Sequence, residues 1–223
     1  MLIQNLIFGP GIYGLFGIWH LGIGILEALK DQGCINMNRC SWCIDDPLMM
    51  KYHDEEWGTP VHSERKHFEF LVLETFQAGL SWMVVLRKRG NFRKAFDNFD
   101  PKKVARYNRR KIDRLVKDEG IIRNRRKIEA AVNNAKRFLE VQKEFGSFDK
   151  YLWGFVDNRP ITNRWKKLSQ IPATTKLSDE ISRDMKKRGF SFVGSTVIYA
   201  HLQAIGMVND HLVSCFRYKG PTQ

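Results

Sequence analysis

The chain has 223 residues, 43% of them hydrophobic, a formal net charge of +13 and four cysteines. That length supports one compact domain or two small lobes with room for a core and a pocket, and it excludes a peptide-like binding module. The charge favours a polyanionic partner, either nucleic acid or an acidic membrane surface; four cysteines without regular paired spacing exclude a secreted disulfide framework and point to thiols kept reduced or on metal, in the cytoplasm.

In chain order, Leu2 to Leu26 comes first, without a single Asp, Glu, Lys or Arg and long enough to span a bilayer. No Lys or Arg precedes it, which argues against a cleaved secretory signal, and Gly9, Pro10, Gly11 and the glycines beyond them weaken it as a helix. Residues 1–36 read as an appendage and Met37 as the start of the functional domain, residues 37–223; a membrane anchor is the second reading.

From Met37 onward the pattern is all-α, with about eight helices separated by capping signals and no sustained period-two alternation. Asp46-Pro47 and Asp100-Pro101 predict N-cap and first-turn pairs, and Ser81 a cap after the stop at Gly79. The helical stretch over Lys111 to Val116 is expected to end at Gly120, and the one over Arg125 to Phe145 at Gly146. Ser147 and Ser178 are expected N-caps. The stretch from Asn158 to Thr175, with Pro160 and Pro172, is expected as the long connection between two lobes.

Lys102 to Lys127 holds twelve Lys or Arg against three acidic residues, +9 of the total. A one-signed excess unpaired with acids at i+4 predicts a phosphate-binding surface ahead of a merely solvated face. Further on, Lys186 to Ser195 reads as a helix-hairpin-helix. Gly189 and Gly194 are expected to supply positive φ, Phe190 and Phe192 to anchor the turn, and the next helix N-terminus to face a phosphate. An ordinary helical turn with a glycine stop fits the local sequence equally well.

His211 and Cys215 are spaced to share one helical face and one ion, and Cys40 with His53 would complete a Cys2His2 tetrahedron joining the two ends of the domain. Such a closed site is structural, not catalytic. Cys40-Ser41-Trp42-Cys43 is a rival C-x-x-C, able to ligate zinc or act in redox chemistry, though no βαβ context supports the latter. Glu74 stands in the apolar run Phe68 to Phe76, where an unpaired buried carboxylate is costly. His20, His62, His67 and His201 show no partner pattern.

Several stretches together resemble one family: Arg39-Cys40-Ser41-Trp42, Asp46-Pro47-Leu48, Tyr52 to Gly58, Gln77 to Trp82, Gly120-Ile121-Ile122-Arg123, Lys187 to Phe190, Phe192-Val193-Gly194 and Asn209-Asp210-His211. In that order, across Met37 to Gly220, they make the chain similar to the 3-methyladenine DNA glycosylase I family. The resemblance implies a helix-hairpin-helix glycosylase fold, one structural Zn2+ on Cys40, His53, His211 and Cys215, and Cys43 as a bystander. It casts Glu74 as the acidic group at the target base, with Trp42, Tyr52 and Trp82 as the aromatic pocket.

It further implies hydrolytic excision of a flipped, cationic 3-methyladenine from alkylated double-stranded DNA, by a monomer with no obligate protein partner, cytoplasmic at the nucleoid. Gly194-Ser195-Thr196-Val197 has no Lys where lyases of this superfamily carry one, so a monofunctional enzyme leaving an abasic site is expected. Leu80 is expected to wedge into the vacated stack or to pack as a core leucine. Lys187, Gly189 and Gly194 are the expected DNA contacts of the hairpin. Asp210 is the rival carboxylate, expected instead to cap the helix at the zinc end. Met49 and Phe76 depart from the family pattern and are expected to alter the pocket. A zinc-stapled DNA-binding module without catalysis is the competing class.

Overall fold

The computed structural model describes residues 37–218; the apolar run Leu2 to Leu26 lies outside them. Among the described residues nine α-helices form: α1 Pro47–Glu55, α2 Glu64–Gln77, α3 Trp82–Ala95, α4 Pro101–Val104, α5 Arg109–Lys117, α6 Arg125–Phe145, α7 Phe148–Trp153, α8 Lys176–Lys187 and α9 Ser195–Ala204. Among those residues no helix is long and apolar enough to cross a membrane.

Most helix starts have the chemistry the sequence predicts. Asp46 accepts from the amides of Leu48 and Met49 ahead of α1, with Pro47 in the first turn, and Asp100 does the same for Lys102 and Lys103 ahead of α4. Ser147 caps α7 through the Lys150 amide. Gly146 closes α6 with φ 84°, a conformation that costs glycine nothing. Two expected caps differ. Ser81 precedes α3 but makes no side-chain cap bond. The cap of α8 is Thr175 and not Ser178, which instead answers it from inside the first turn and closes a capping box.

α2 is the axis of the fold. Every residue from His67 to Phe76 is buried, and the helix packs on α3, α6, α7 and α9. A helix buried on all sides is stable only when neighbours cover it, each buried phenylalanine contributing about 1.5–3 kcal/mol. Phe68 packs edge-on against Phe138 of α6, and Phe76 against Phe92 and Phe96 at the end of α3.

One apolar cluster runs from Cys40 to Cys215. The connection 158–175, expected to separate lobes, contributes a two-residue strand instead: Ile161 and Thr162 pair in parallel with Val208 and Asn209. Short β1 (Ile161–Thr162) and β2 (Val208–Asn209) are too brief for alternation to reveal, because their register is set by tertiary contact.

The basic stretch covers α4, α5 and the start of α6. Contrary to the sequence expectation, it does carry acids at helical spacing: Arg123 pairs with Glu119 and Arg125 with Glu129 at i,i+4, and Arg125 also with Asp113 at 2.6 Å. Exposed pairs of this kind contribute little to stability but lower the charge available to a partner.

Candidate active site and metal centre

Glu74 sits in the penultimate turn of α2, 4% exposed. Burial pushes its carboxyl up from an ordinary 4.5 to about 8. It lines a cavity of about 90 Å³ together with Gln77, Ala78, Gly79 and Leu80 at the end of α2, and Thr196, Val197 and Ala200 on the first turns of α9. The wall therefore joins the C-terminal end of one helix to the N-terminal end of another. Leu80 at the lip is 41% exposed and so is not a core leucine.

Trp42, Tyr52 and Trp82 come from three different elements and form a continuous ring contact. Tyr52 of α1 lies 6.4 Å from Trp42 and 5.2 Å from Trp82 at the start of α3, measured between ring centroids. None of the three lines the Glu74 cavity directly, but the group is electrostatically contiguous with it. Burial first and the Glu74 charge second push the Tyr52 hydroxyl well above its ordinary range. Trp42 Nε1, Trp82 Nε1 and Glu74 Oε2 are three of the ten buried side-chain polar atoms that lack a hydrogen-bond partner among the described residues. Orphaned polar atoms are rare in folded interiors and mark strain or a ligand position. Met49 and Phe76, expected to alter the pocket, are core residues outside the cavity lining.

The three helices carrying Tyr52, Glu74 and Trp82 are tied by Arg89 of α3. Its Nε donates to Glu69 of α2 at 2.7 Å and its Nη1 to Glu56, the residue closing α1, at 2.7 Å. Sequence reasoning misses this tie, because Arg89 looks like one more cation in Arg87-Lys88-Arg89.

The opposite ends of the described chain meet at Cys40, His53, His211 and Cys215, whose ligand atoms all lie within 4.8 Å of one another and are all buried. Cys215 Sγ is 3.4 Å from His53 Nε2 and 3.6 Å from His211 Nδ1, and Cys40 Sγ is 3.8 Å from His211 Nδ1. These are the edge lengths of a tetrahedron around an N2S2 metal ion. The close approach of the two sulfurs pushes the Cys40 thiol above its ordinary range and holds the Cys215 thiol below it. The other ring nitrogens are oriented as metal-bound imidazoles require: His53 Nδ1 faces Asp54 at 2.7 Å, and His211 Nε2 faces the Trp57 carbonyl at 3.1 Å. Amides of Leu212 and Arg217 donate to the two sulfurs. Gly58 has φ 71°, and a Cβ there would stand 2.9 Å from His211 Nε2, so only glycine permits this approach.

Two expectations are corrected here. His211 and Cys215 do not lie on a helix; they occupy the turn after β2 and reach one another through the chain reversal of residues 211–217. Asp210 caps no helix. It is fully buried and accepts from Asn163 and Trp165 through Oδ1, and from Tyr199 and Gln203 through Oδ2, which pins α9 and the 158–175 connection to the metal end. Cys43 donates to the Cys40 carbonyl and is not in the four-residue group.

The turn from α8 to α9 spans residues 188–194. Phe190 N–H bonds the Met185 carbonyl and Gly189 N–H the Lys186 carbonyl, the paired closure of a helix ending in a left-handed residue, here Gly189 at φ 85°. Gly194 does not take positive φ as expected: it is extended at φ −61° as the N-cap of α9, and Phe192 is the second left-handed residue, at φ 56°. Phe190 is buried, and Phe192 only partly. Asn134 of α6 holds both the amide and the carbonyl of Ser191, and Asn133 donates to the Gly189 carbonyl.

A buried, readily protonated carboxyl in a narrow cavity, near aromatic rings with unpartnered donors and a buried Cys/His group able to hold a metal ion, marks a helical protein with a candidate ligand site. The methyladenine glycosylase family profile matches residues 42–218, and the chain belongs to that family. It is 47% identical over 184 residues to DNA-3-methyladenine glycosylase 1 of Escherichia coli (strain K12), covering 82% of this chain and 98% of the relative. It is 44% identical to DNA-3-methyladenine glycosylase of Haemophilus influenzae, covering 79% and 96%. A solved 3-methyladenine DNA glycosylase I from Staphylococcus aureus, described for its recognition of 3-methyladenine, superimposes with a TM-score of 0.80 at 34% identity, covering 83% of this chain and 99% of that one.

Proposed function

We propose that this protein is a DNA repair glycosylase that flips 3-methyladenine out of alkylated double-stranded DNA and hydrolyses its glycosidic bond. The observation that carries the reading is Glu74: a buried carboxyl with one oxygen unpartnered, lining a cavity at the meeting of α2 and α9. A base methylated at N3 is cationic in DNA. Beside Glu74 it would draw the carboxyl back to its ionised form, and the faces of Trp42, Tyr52 and Trp82 would hold it by cation-π attraction. A neutral adenine gains neither.

The positive charge already weakens the bond between N9 and C1′. As that bond breaks, N9 keeps the electron pair and the base leaves neutral; water adds to C1′ and gives up a proton, and an abasic sugar remains. Glu74 acts as an electrostatic helper to the sugar cation. Thr196 and Val197 line the cavity where a lyase would present lysine, which supports monofunctional chemistry. The α8–α9 turn is read as a helix-hairpin-helix, with Lys187, Gly189 and Gly194 facing DNA phosphates and the N-terminus of α9 contributing amides. Leu80 fills the space left by the flipped nucleotide.

The metal is assigned as one structural Zn2+ on Cys40, His53, His211 and Cys215, supplying fold stability and no step of the reaction. Residues 37–223 form the glycosylase domain and 1–36 an appendage, in a cytoplasmic monomer acting at the nucleoid.

The test is incubation with dimethyl sulfate-treated duplex DNA. Free 3-methyladenine with strands intact until alkali treatment is the expected result; strand breaks without alkali would contradict the monofunctional reading, and no free base would favour a DNA-binding module.

A further inference from the structure

Lys127 lies in the first turn of α6, where helix polarity disfavours a cation, and it is only 5% exposed. Burial holds its ammonium below the ordinary lysine range. What it gains is specific: Nζ donates to the Phe76 carbonyl at 2.7 Å and to the Ala78 carbonyl at 2.5 Å. Those carbonyls belong to the last turn of α2 and the residue that leaves it, Ala78 at φ −45° and ψ 113°. The chain then turns through Gly79 at φ 80°, and the Leu80 amide closes back on Gln77. Gln77, Ala78, Gly79 and Leu80 all line the Glu74 cavity. An apolar side chain is thus held out in water at the cavity lip, with the backbone beneath it clamped from another helix.

The same α6 carries Asn133 and Asn134, which clamp the α8–α9 turn. Six residues along a helix is about 9 Å of axis, so one rigid element sets the distance between the Leu80 turn and that hairpin. We infer that Lys127 is a positioning residue for base excision, fixing the Leu80 turn in register with the hairpin so that Leu80 enters the duplex as the hairpin engages the backbone. The inference rests on the glycosylase reading. An uncharged side chain would fill the same space; only a multiple donor locks two carbonyls at once.

The experiment uses the full-length protein and its Lys127→Met, Lys127→Arg, Leu80→Ala and Lys127→Met/Leu80→Ala variants. Four readouts are compared: single-turnover release of 3-methyladenine from alkylated duplex, fluorescence of 2-aminopurine beside an abasic-site analogue, binding of free 3-methyladenine by tryptophan quenching, and thermal melting. Lys127→Met is expected to lose roughly 10- to 100-fold in single-turnover rate with a weakened 2-aminopurine signal and to melt somewhat lower, because two carbonyls lose their donor, while free-base binding stays near wild type. Lys127→Arg recovers most of the rate, and the double variant is no slower than Leu80→Ala alone.

Lys127→Met at the wild-type rate overturns the inference. So does a loss of free-base binding in step with the rate, which makes Lys127 a plain packing residue, and so does a double variant slower than Leu80→Ala by the full Lys127→Met factor. A wild-type protein that releases no base overturns the underlying reading, and the inference with it.

Discussion

His53 Nδ1 stands 2.7 Å from Oδ1 of Asp54, an arrangement that turns His53 Nε2 toward Cys215 and orients the imidazole for the proposed metal. Asp54 is itself held by Arg39 through both carboxylate oxygens. Replacing Asp54 by alanine leaves all four ligands in place but frees the ring. Zinc affinity, read by competition with a chromophoric chelator, is expected to fall by roughly 10- to 100-fold. An unchanged affinity would mean that ring packing alone orients His53.

Removing the proposed metal should have a larger effect, because its four candidate ligands join residues 40–53 to residues 211–215. Treatment with a strong chelator is expected to lower the melting temperature, and Cys215→Ser to reproduce the shift without chelator. Equal melting curves with and without chelator would remove the structural role.

The raised carboxyl of Glu74 carries a definite sign. Its folded value is pushed up by burial to about 8 from an ordinary 4.5. Between those values the folded protein keeps the proton while the unfolded chain has lost it, so stability falls as pH rises through this window and levels off above it, by on the order of a few kcal/mol. Glu74→Gln cannot ionise. Its melting temperature relative to wild type is therefore expected to climb from pH 5 to pH 8. A flat difference would place an unrecognised partner on the carboxyl.

Arg89 joins α1, α2 and α3 through Glu56 and Glu69, and both it and Glu69 are buried. Arg89→Met is expected to cost about 1–3 kcal/mol in urea unfolding, since the buried Glu69 carboxylate then keeps only its bonds from Arg93. Replacing Arg89 and Glu69 together by apolar residues should recover some of that loss, because the pair's desolvation cost disappears with it. A double variant no better than the single one would contradict this account.

Much of this molecule is legible from its residues because local chemistry decides it. Asp46-Pro47, Asp100-Pro101 and the Gly146 stop each satisfy orphan backbone groups within one turn, so they form where the sequence places them. Glu74 is legible because a carboxyl inside Phe68 to Phe76 contradicts its neighbours. What escapes depends on contacts across the chain. His211 and Cys215 meet through a turn and not a helix, because β2 is anchored to β1 far upstream. Asp210 looks like a cap in sequence but serves four donors from α9 and the 158–175 connection. Lys127 and Arg89 are hidden in basic runs, where burial cannot be told from solvation. Phe192 takes the left-handed conformation expected of Gly194, since the N-cap of α9 requires extended backbone there.

The most direct measurement is base release from dimethyl sulfate-treated duplex by metal-loaded wild-type protein and by Glu74→Ala, products separated by chromatography. The account predicts selective release of 3-methyladenine by the wild type, lost or strongly reduced in a variant that still folds and binds DNA. Equal release by both proteins would contradict the role of Glu74, and no released base from folded, metal-loaded wild type would contradict the glycosylase reading itself.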